Sequence, residues 1–132
     1  MNKFRYILTC VGMAMCMSAC QQPVTRGELH SVDAESFKLV IRNSNVQIID
    51  VRTRAEFLKG HLPHAINIDI NDNDFNGLVR QHLEPERPVA VYCHSGKKSE
   101  IAANIMIDLG YEVYELENGV LGWDGPVSID QQ

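Results

Sequence analysis

The sequence predicts a single α/β layered domain, and three observations carry that expectation. Val46 to Val51 and Val89 to Tyr92 are short, nearly continuous apolar runs, suited to strands covered on both faces of a parallel sheet. Stretches with helical spacing lie between and after them, the β-α-β alternation of layered domains. The chain has 132 residues, 45% hydrophobic and 22% charged, which suits one core and excludes a disordered or collagen-like chain.

The elements follow in order. Residues 1–19 form a separate object: Lys3 and Arg5 precede an apolar run from Ile7 to Met17 that ends in Ser18 and Ala19, the layout of a secretory signal. As a helix the run rises only about 16 Å against a hydrocarbon core of about 30 Å, so a permanent membrane span is disfavoured. Residues 20–27 read as a polar linker and 28–132 as the folded domain. Asp33 is placed to cap a helix whose Phe37, Val40 and Ile41 share a face. Ala65 to Ile68 and Glu112 to Leu116 are weaker strand candidates. Asp74 is placed to cap a second helix carrying Leu78, Val79 and Leu83. A third helix runs from about Ser99, its expected N-cap, to Leu109, with Ile101, Ala102, Ile105, Met106 and Leu109 at helical spacing and Gly110 as its stop.

Charge and cysteine usage narrow the function. Twelve Lys and Arg stand against seventeen Asp and Glu, and removal of the leader takes away two of the basic residues. Nucleic-acid binding is argued against, because it needs clustered cations. Cys10 and Cys16 leave with the leader, so if Cys20 is modified, Cys93 is unpaired in the domain. An unpaired cysteine in an exported chain is either sealed in a core or used.

Cys93 directly follows an apolar strand and precedes a helix, in the run Cys93-His94-Ser95-Gly96-Lys97-Lys98-Ser99. Residues 94–98 can turn backbone N–H groups inward, and the helix adds its positive end, so a thiolate is favoured there without a dedicated base. Gly96 supplies the backbone freedom of a tight loop. Lys97 and Lys98 would draw a small anion to the sulfur.

Met17-Ser18-Ala19-Cys20 resembles the bacterial lipobox. That resemblance implies cleavage before Cys20, lipid on its sulfur, and a periplasm-facing position in the cell envelope. Gln21 in place of the aspartate that often retains lipoproteins at the inner membrane favours the outer membrane. A soluble exported protein cut near Ala19 is the alternative.

The body of the chain resembles the rhodanese family from about Glu28 to Trp123. Asp50-Val51-Arg52, Glu56-Phe57, Gly60-His61-Leu62-Pro63 and Ala65-Ile66-Asn67-Ile68 are similar to its first signature. Cys93-x-x-Gly96-x-x-Ser99 is similar to the second, and Gly119 to Trp123 to the closing Gly…Trp segment. The resemblance implies a five-stranded, mainly parallel sheet with helices on both faces. It also implies a thiosulfate sulfurtransferase working through a Cys93 persulfide, with residues 94–99 as its loop and no cofactor. The six-residue loop separates this chemistry from related phosphatases and arsenate reductases, which use seven residues and an arginine where this chain has Ser99. Without that guanidinium fork a phosphoryl group loses its bidentate partner. Lys98 stands where many sulfurtransferases carry arginine, keeping charge but not the planar fork. His64 and Asn118 replace glycines. The expected partners are a small anionic sulfur donor such as thiosulfate, a thiol or cyanide acceptor, and the membrane through Cys20. A non-enzymatic binding or sulfur-carrier module of the envelope is the alternative function.

Other residues carry weaker signals. Asp50 and Arg52 read as a structural pair near the site more than as substrate ligands. Trp123 reads as packing, with a pocket-wall role as the sharper possibility. His94 either relays protons or points to water. His61 and His64 have metal-like spacing, but Pro63 breaks the helix that would align them and no companion ligand is near, so no metal is expected. Asp69, Asp72 and Asp74 read as a polar loop leading into a helix.

Overall fold

The computed structural model describes residues 25–129; the expected leader and Cys20 lie outside the described residues. The strands are β1 (Leu29–Val32), β2 (Gln47–Asp50), β3 (Ile66–Asn67), β4 (Val89–Tyr92) and β5 (Val113–Leu116). The helices are α1 (Ala34–Ile41), α2 (Arg54–Leu58), α3 (Phe75–His82) and α4 (Lys97–Asp108), followed by a short 3-10 helix, Gly119–Gly122. The sheet runs in the order β1-β5-β4-β2-β3, and each pairing is parallel.

Every residue of β2 and β4 is buried, as the nearly continuous apolar runs around them imply, although β2 itself begins and ends on the buried polar residues Gln47 and Asp50. Alternation along β4 sends Val89, Val91 and then Cys93 to one face, where Phe75 and Val79 of α3 and Ala102 and Met106 of α4 cover them. Ala90 and Tyr92 point to the other face, against Phe37 of α1 and Leu62. Burying one such large apolar side chain contributes roughly 1.5–3 kcal/mol before chain entropy is subtracted.

Helix ends differ from expectation in instructive ways. Asp33 caps α1 as expected, its Oδ1 accepting from the Ser36 N–H at 2.8 Å. Asp74 holds the N-cap position of α3 but makes no capping bond. Its backbone, at φ -112° and ψ 37°, departs from the extended conformation that aims a capping carboxylate into the first turn. Asp72 instead accepts from the Asp74 N–H at 2.9 Å, and Asp69 accepts from Asn71 in the same way, so these acids build turns.

Helix α4 begins at Lys97, with Gly96 rather than Ser99 as its N-cap. Its buried stripe is Ser99, Ala102, Ala103, Met106 and Ile107, while Ile101 is 58% exposed. The alanines let the helix lie close to the sheet, and that close side defines the stripe. The weaker strand candidate at Ala65 to Ile68 shortens to Ile66–Asn67 at the sheet edge. Gly27, assigned to the linker, is already docked, its N–H donating to the Ile107 carbonyl at 2.7 Å. Among the described residues no helix is long and apolar enough to cross a membrane.

Candidate active site

Cys93 leaves the carboxyl end of β4 and the chain must reverse at once to start α4. Gly96 makes that turn at φ 96°, in the left-handed region. A Cβ there would lie 1.9 Å from the Glu117 carbonyl oxygen, so the loop is pressed against the exit of β5. In this turn the Gly96 N–H donates to the Cys93 Sγ at 3.1 Å, and the sulfur faces the amino end of a twelve-residue helix. The 3-10 helix latches the loop from behind: the Val120 N–H donates to the Cys93 carbonyl at 3.0 Å and the Leu121 N–H to the His94 carbonyl at 3.1 Å.

In front of the sulfur lies a cleft of about 260 Å³ lined by Arg52, Glu56, Cys93, His94, Ser95, Lys97 and Lys98. Arg52 is held by the fully buried Asp50 through Nε at 3.0 Å and Nη2 at 2.7 Å, and Nη2 also donates to the Gly60 carbonyl at 2.7 Å. That geometry fixes the guanidinium at the cleft wall. Glu56 belongs to a capping box on α2, accepting from Thr53 N and Oγ1, both at 3.0 Å. The backbone bond from Thr53, then its hydroxyl, hold the Glu56 carboxyl below the usual range against opposing burial, with Lys98 and Arg52 adding to the effect. One negative and several positive groups therefore face each other across the opening. A larger cavity, about 390 Å³, lies near the start of β2 by Asn43, Gln47 and Glu84, far from the carboxyl edge where α/β sheets bind ligands.

Of the residues singled out in the sequence, Cys93, His94, Ser95, Lys97, Lys98 and Arg52 line this cleft. Gly96 contributes its N–H from below, and Asp50 acts through Arg52. Ser99 does not line it: wholly buried, its Oγ sits 3.4 Å from the sulfur and donates to Glu115 Oε1 at 2.5 Å, because the early start of α4 turns residue 99 toward the sheet. Trp123 does not line it either. The 3-10 helix spends its contacts on the loop and delivers the indole to the α1 face, edge-on to Phe37 with centroids 6.1 Å apart and Nε1 donating to the Pro126 carbonyl. His61 is buried with its ring stacked on Phe57 at 3.7 Å and its Nδ1 3.0 Å from the Phe57 carbonyl oxygen, and His64 takes a left-handed φ of 66°. Among the described residues no group of three or more metal-ligating side chains forms.

Three contributors lie outside the candidate site residues of the sequence, although Glu56 stands in the Glu56-Phe57 signature pair. Glu56 was legible in the Thr53-x-x-Glu56 spacing of a capping box. Tyr92 accepts from the Leu62 N–H at 3.0 Å and lies beneath Arg52, and burial, followed by the neighbouring Asp50, pushes its phenol far above the ordinary range. Glu115 carries no sequence signal beyond its inward register on β5.

A parallel five-stranded sheet with a cysteine loop at its carboxyl edge narrows the class to α/β domains organised around one sulfur. The family model for the rhodanese-like domain matches residues 33–125, and the chain belongs to that family. It is 33% identical over 96 residues to a tRNA uridine(34) hydroxylase of Synechococcus elongatus, covering 70% of this chain and 36% of that protein. It is 29% identical over 103 residues to the Escherichia coli protein named "Uncharacterized protein YibN", covering 77% of this chain and 66% of that one. The chain thus spans about a third of the hydroxylase. Among solved structures, a rhodanese-related protein from Thermoplasma volcanium superimposes with a TM-score of 0.64 at 26% identity, covering 76% of this chain and 99% of that one. The Alr3790 protein from Anabaena gives 0.66 at 27% identity, covering 74% and 81%.

Proposed function

We propose that this chain is a sulfurtransferase that carries sulfane sulfur from thiosulfate, or a similar small anionic donor, to a thiol or cyanide through a persulfide on Cys93. The observation that carries the reading is the Gly96 N–H aimed at the sulfur at 3.1 Å, at the base of a cleft rimmed by Arg52, Lys97 and Lys98. An amide and a helix end favour an anion at that atom, and thiolate is the nucleophilic form.

The Cys93 thiolate attacks the outer sulfur of thiosulfate. The sulfur–sulfur bond of the donor breaks, its electron pair leaves on sulfite, and Cys93 holds the outer sulfur as an anionic persulfide. An acceptor nucleophile then attacks that sulfur and returns the thiolate, giving ping-pong kinetics. Lys97 and Lys98 steer the donor's sulfonate end. The leader and Cys20 extend the proposal to location: a lipid-anchored, periplasm-facing domain of the bacterial envelope, at the outer membrane.

Purified protein mixed with thiosulfate gains the mass of one sulfur atom, and Cys93→Ser does not. Equal gain on both, or none on wild type, removes the reading. Repeated turnover with cyanide or a small thiol supports an enzyme, whereas a single stable loading supports a carrier.

A further inference from the structure

Behind the sulfur, on the side away from the cleft, lies a buried carboxylate that the mechanism above does not use. Glu115 is 3% exposed, and its neighbours set its options. From β1 the Ser31 hydroxyl donates to Oε2 at 2.8 Å; from α4 the Ser99 hydroxyl donates to Oε1 at 2.5 Å; from β4 its register partner is the apolar Val91. No ion pair engages it among the described residues. The titratable group it faces is the Cys93 thiol, across the Ser99 hydroxyl. On the cleft side that thiol faces Arg52, Glu56, His94, Lys97 and Lys98.

Cys93 is 1% exposed, and its sulfur has two neighbours of opposite kind. The Gly96 N–H is a donor, suited to sulfur as an anion; Ser99 Oγ, at 3.4 Å, is an acceptor for the thiol hydrogen. The Ser99 hydroxyl also lies 3.1 Å from the Gly96 carbonyl oxygen, but the 2.5 Å approach to Glu115 Oε1 is the shorter. A hydroxyl has one proton and two lone pairs, so Ser99 can give its proton to Glu115 and accept one from sulfur at the same time. The three groups form a continuous line, S–H to O–H to carboxylate.

We propose that Glu115 is the buried proton acceptor for Cys93, acting through Ser99. The S–H bond breaks with its electron pair left on sulfur; Ser99 Oγ takes that proton and passes its own to Glu115 Oε1. A thiol and a carboxylate become a thiolate and a carboxylic acid, so the net charge of the buried group is unchanged. The Ser99 proton now points at the sulfur, adding a second donor beside the Gly96 N–H. The proton stays on Glu115 while sulfur is loaded and removed, because both half-reactions begin and end with an anion at Cys93. Glu115 is thus a positioning residue for a proton and does not touch the donor.

The inference rests on Cys93 being a nucleophile, so the test uses no sulfur donor. Full-length protein is alkylated with iodoacetamide across a range of pH, and the rate is read at the Cys93 peptide by mass spectrometry. Glu115→Gln keeps the shape and an acceptor oxygen but cannot take the proton. It is expected to slow alkylation at neutral pH by roughly tenfold or more and to move the rate profile to higher pH. Ser99→Ala does the same, and the double variant is no slower than the slower single, because residues acting as one unit are not additive. Wild-type or faster alkylation of Glu115→Gln overturns the proposal, faster being the signature of a carboxylate that only repels the thiolate. Additive losses also overturn it. If Glu115→Gln does not fold, Ser99→Ala carries the same decision. Failure of thiosulfate loading with an intact alkylation result would count against the donor and leave the relay standing.

Discussion

Gly96→Ala is the substitution for which the structure supplies the most arithmetic. The added Cβ would lie 1.9 Å from the Glu117 oxygen, and real contacts of that kind essentially never fall below 3.0 Å, so loop and β5 exit must separate by more than 1 Å. At φ 96° an L-residue also carries a backbone cost of roughly 1–2 kcal/mol. The separation draws the Gly96 N–H away from a sulfur it now meets at 3.1 Å, which removes a charge-assisted bond of about 1.5–3 kcal/mol from the thiolate state. The variant should therefore lose roughly 2–4 kcal/mol of stability in urea titration and load sulfur from thiosulfate at least about tenfold more slowly. Gly122→Ala is the control, since its Cβ meets only the Asn118 Cβ at 3.3 Å and its φ lies outside the left-handed region. A Gly96→Ala protein with the wild-type urea midpoint and wild-type loading rate would refute the claim that this turn holds the sulfur's donor in place.

Three further outcomes are expected. Tyr92→Phe leaves the Leu62 N–H without its 3.0 Å partner in a buried setting, costing about 1–3 kcal/mol by denaturant titration, with the loading rate changed less than in Gly96→Ala. Glu56 has a lowered folded-state pKa, so its contribution is present above the unfolded value of about 4.3 and is lost as pH falls through the folded one. Glu56→Gln should thus be less stable than wild type by roughly 0.5–1 kcal/mol at neutral pH, discounted for its partial exposure, with the gap closing in acid; a gap independent of pH would contradict this. His64→Gly removes a side chain from a φ of 66° and should raise the melting temperature modestly, by the equivalent of roughly 0.5–1 kcal/mol, a gain absent if His64 is unstrained.

Much of the fold was legible because it rests on local chemistry. Continuous apolar runs marked β2 and β4, since both faces of a central parallel strand are covered, and Asp33 marked the start of α1 because a cap is written within four residues. β1 escaped notice because Leu29–Val32 is a mixed tetrapeptide at the sheet edge whose partner, β5, is more than eighty residues away. Residue types alone also mark Cys93 and its basic loop.

The roles of Ser99 and Glu115 were not legible, whereas Trp123 packs on Phe37 as its packing reading expects and stands away from the sulfur's cleft; one cause underlies all three placements. Which way a side chain points depends on where a helix begins and on which element packs above it. Starting α4 at Lys97 turned Ser99 inward, and the latch of the 3-10 helix on the loop sent Trp123 to the opposite face. The sequence by itself determined the layered class, the strand-loop-helix setting of Cys93 and the cationic character of its rim, because each is encoded by neighbours along the chain. Only the tertiary structure decided that Glu115, on a different strand, meets Ser99 beneath the sulfur. That contact joins residues from β5, α4 and the end of β4, and packing alone sets it.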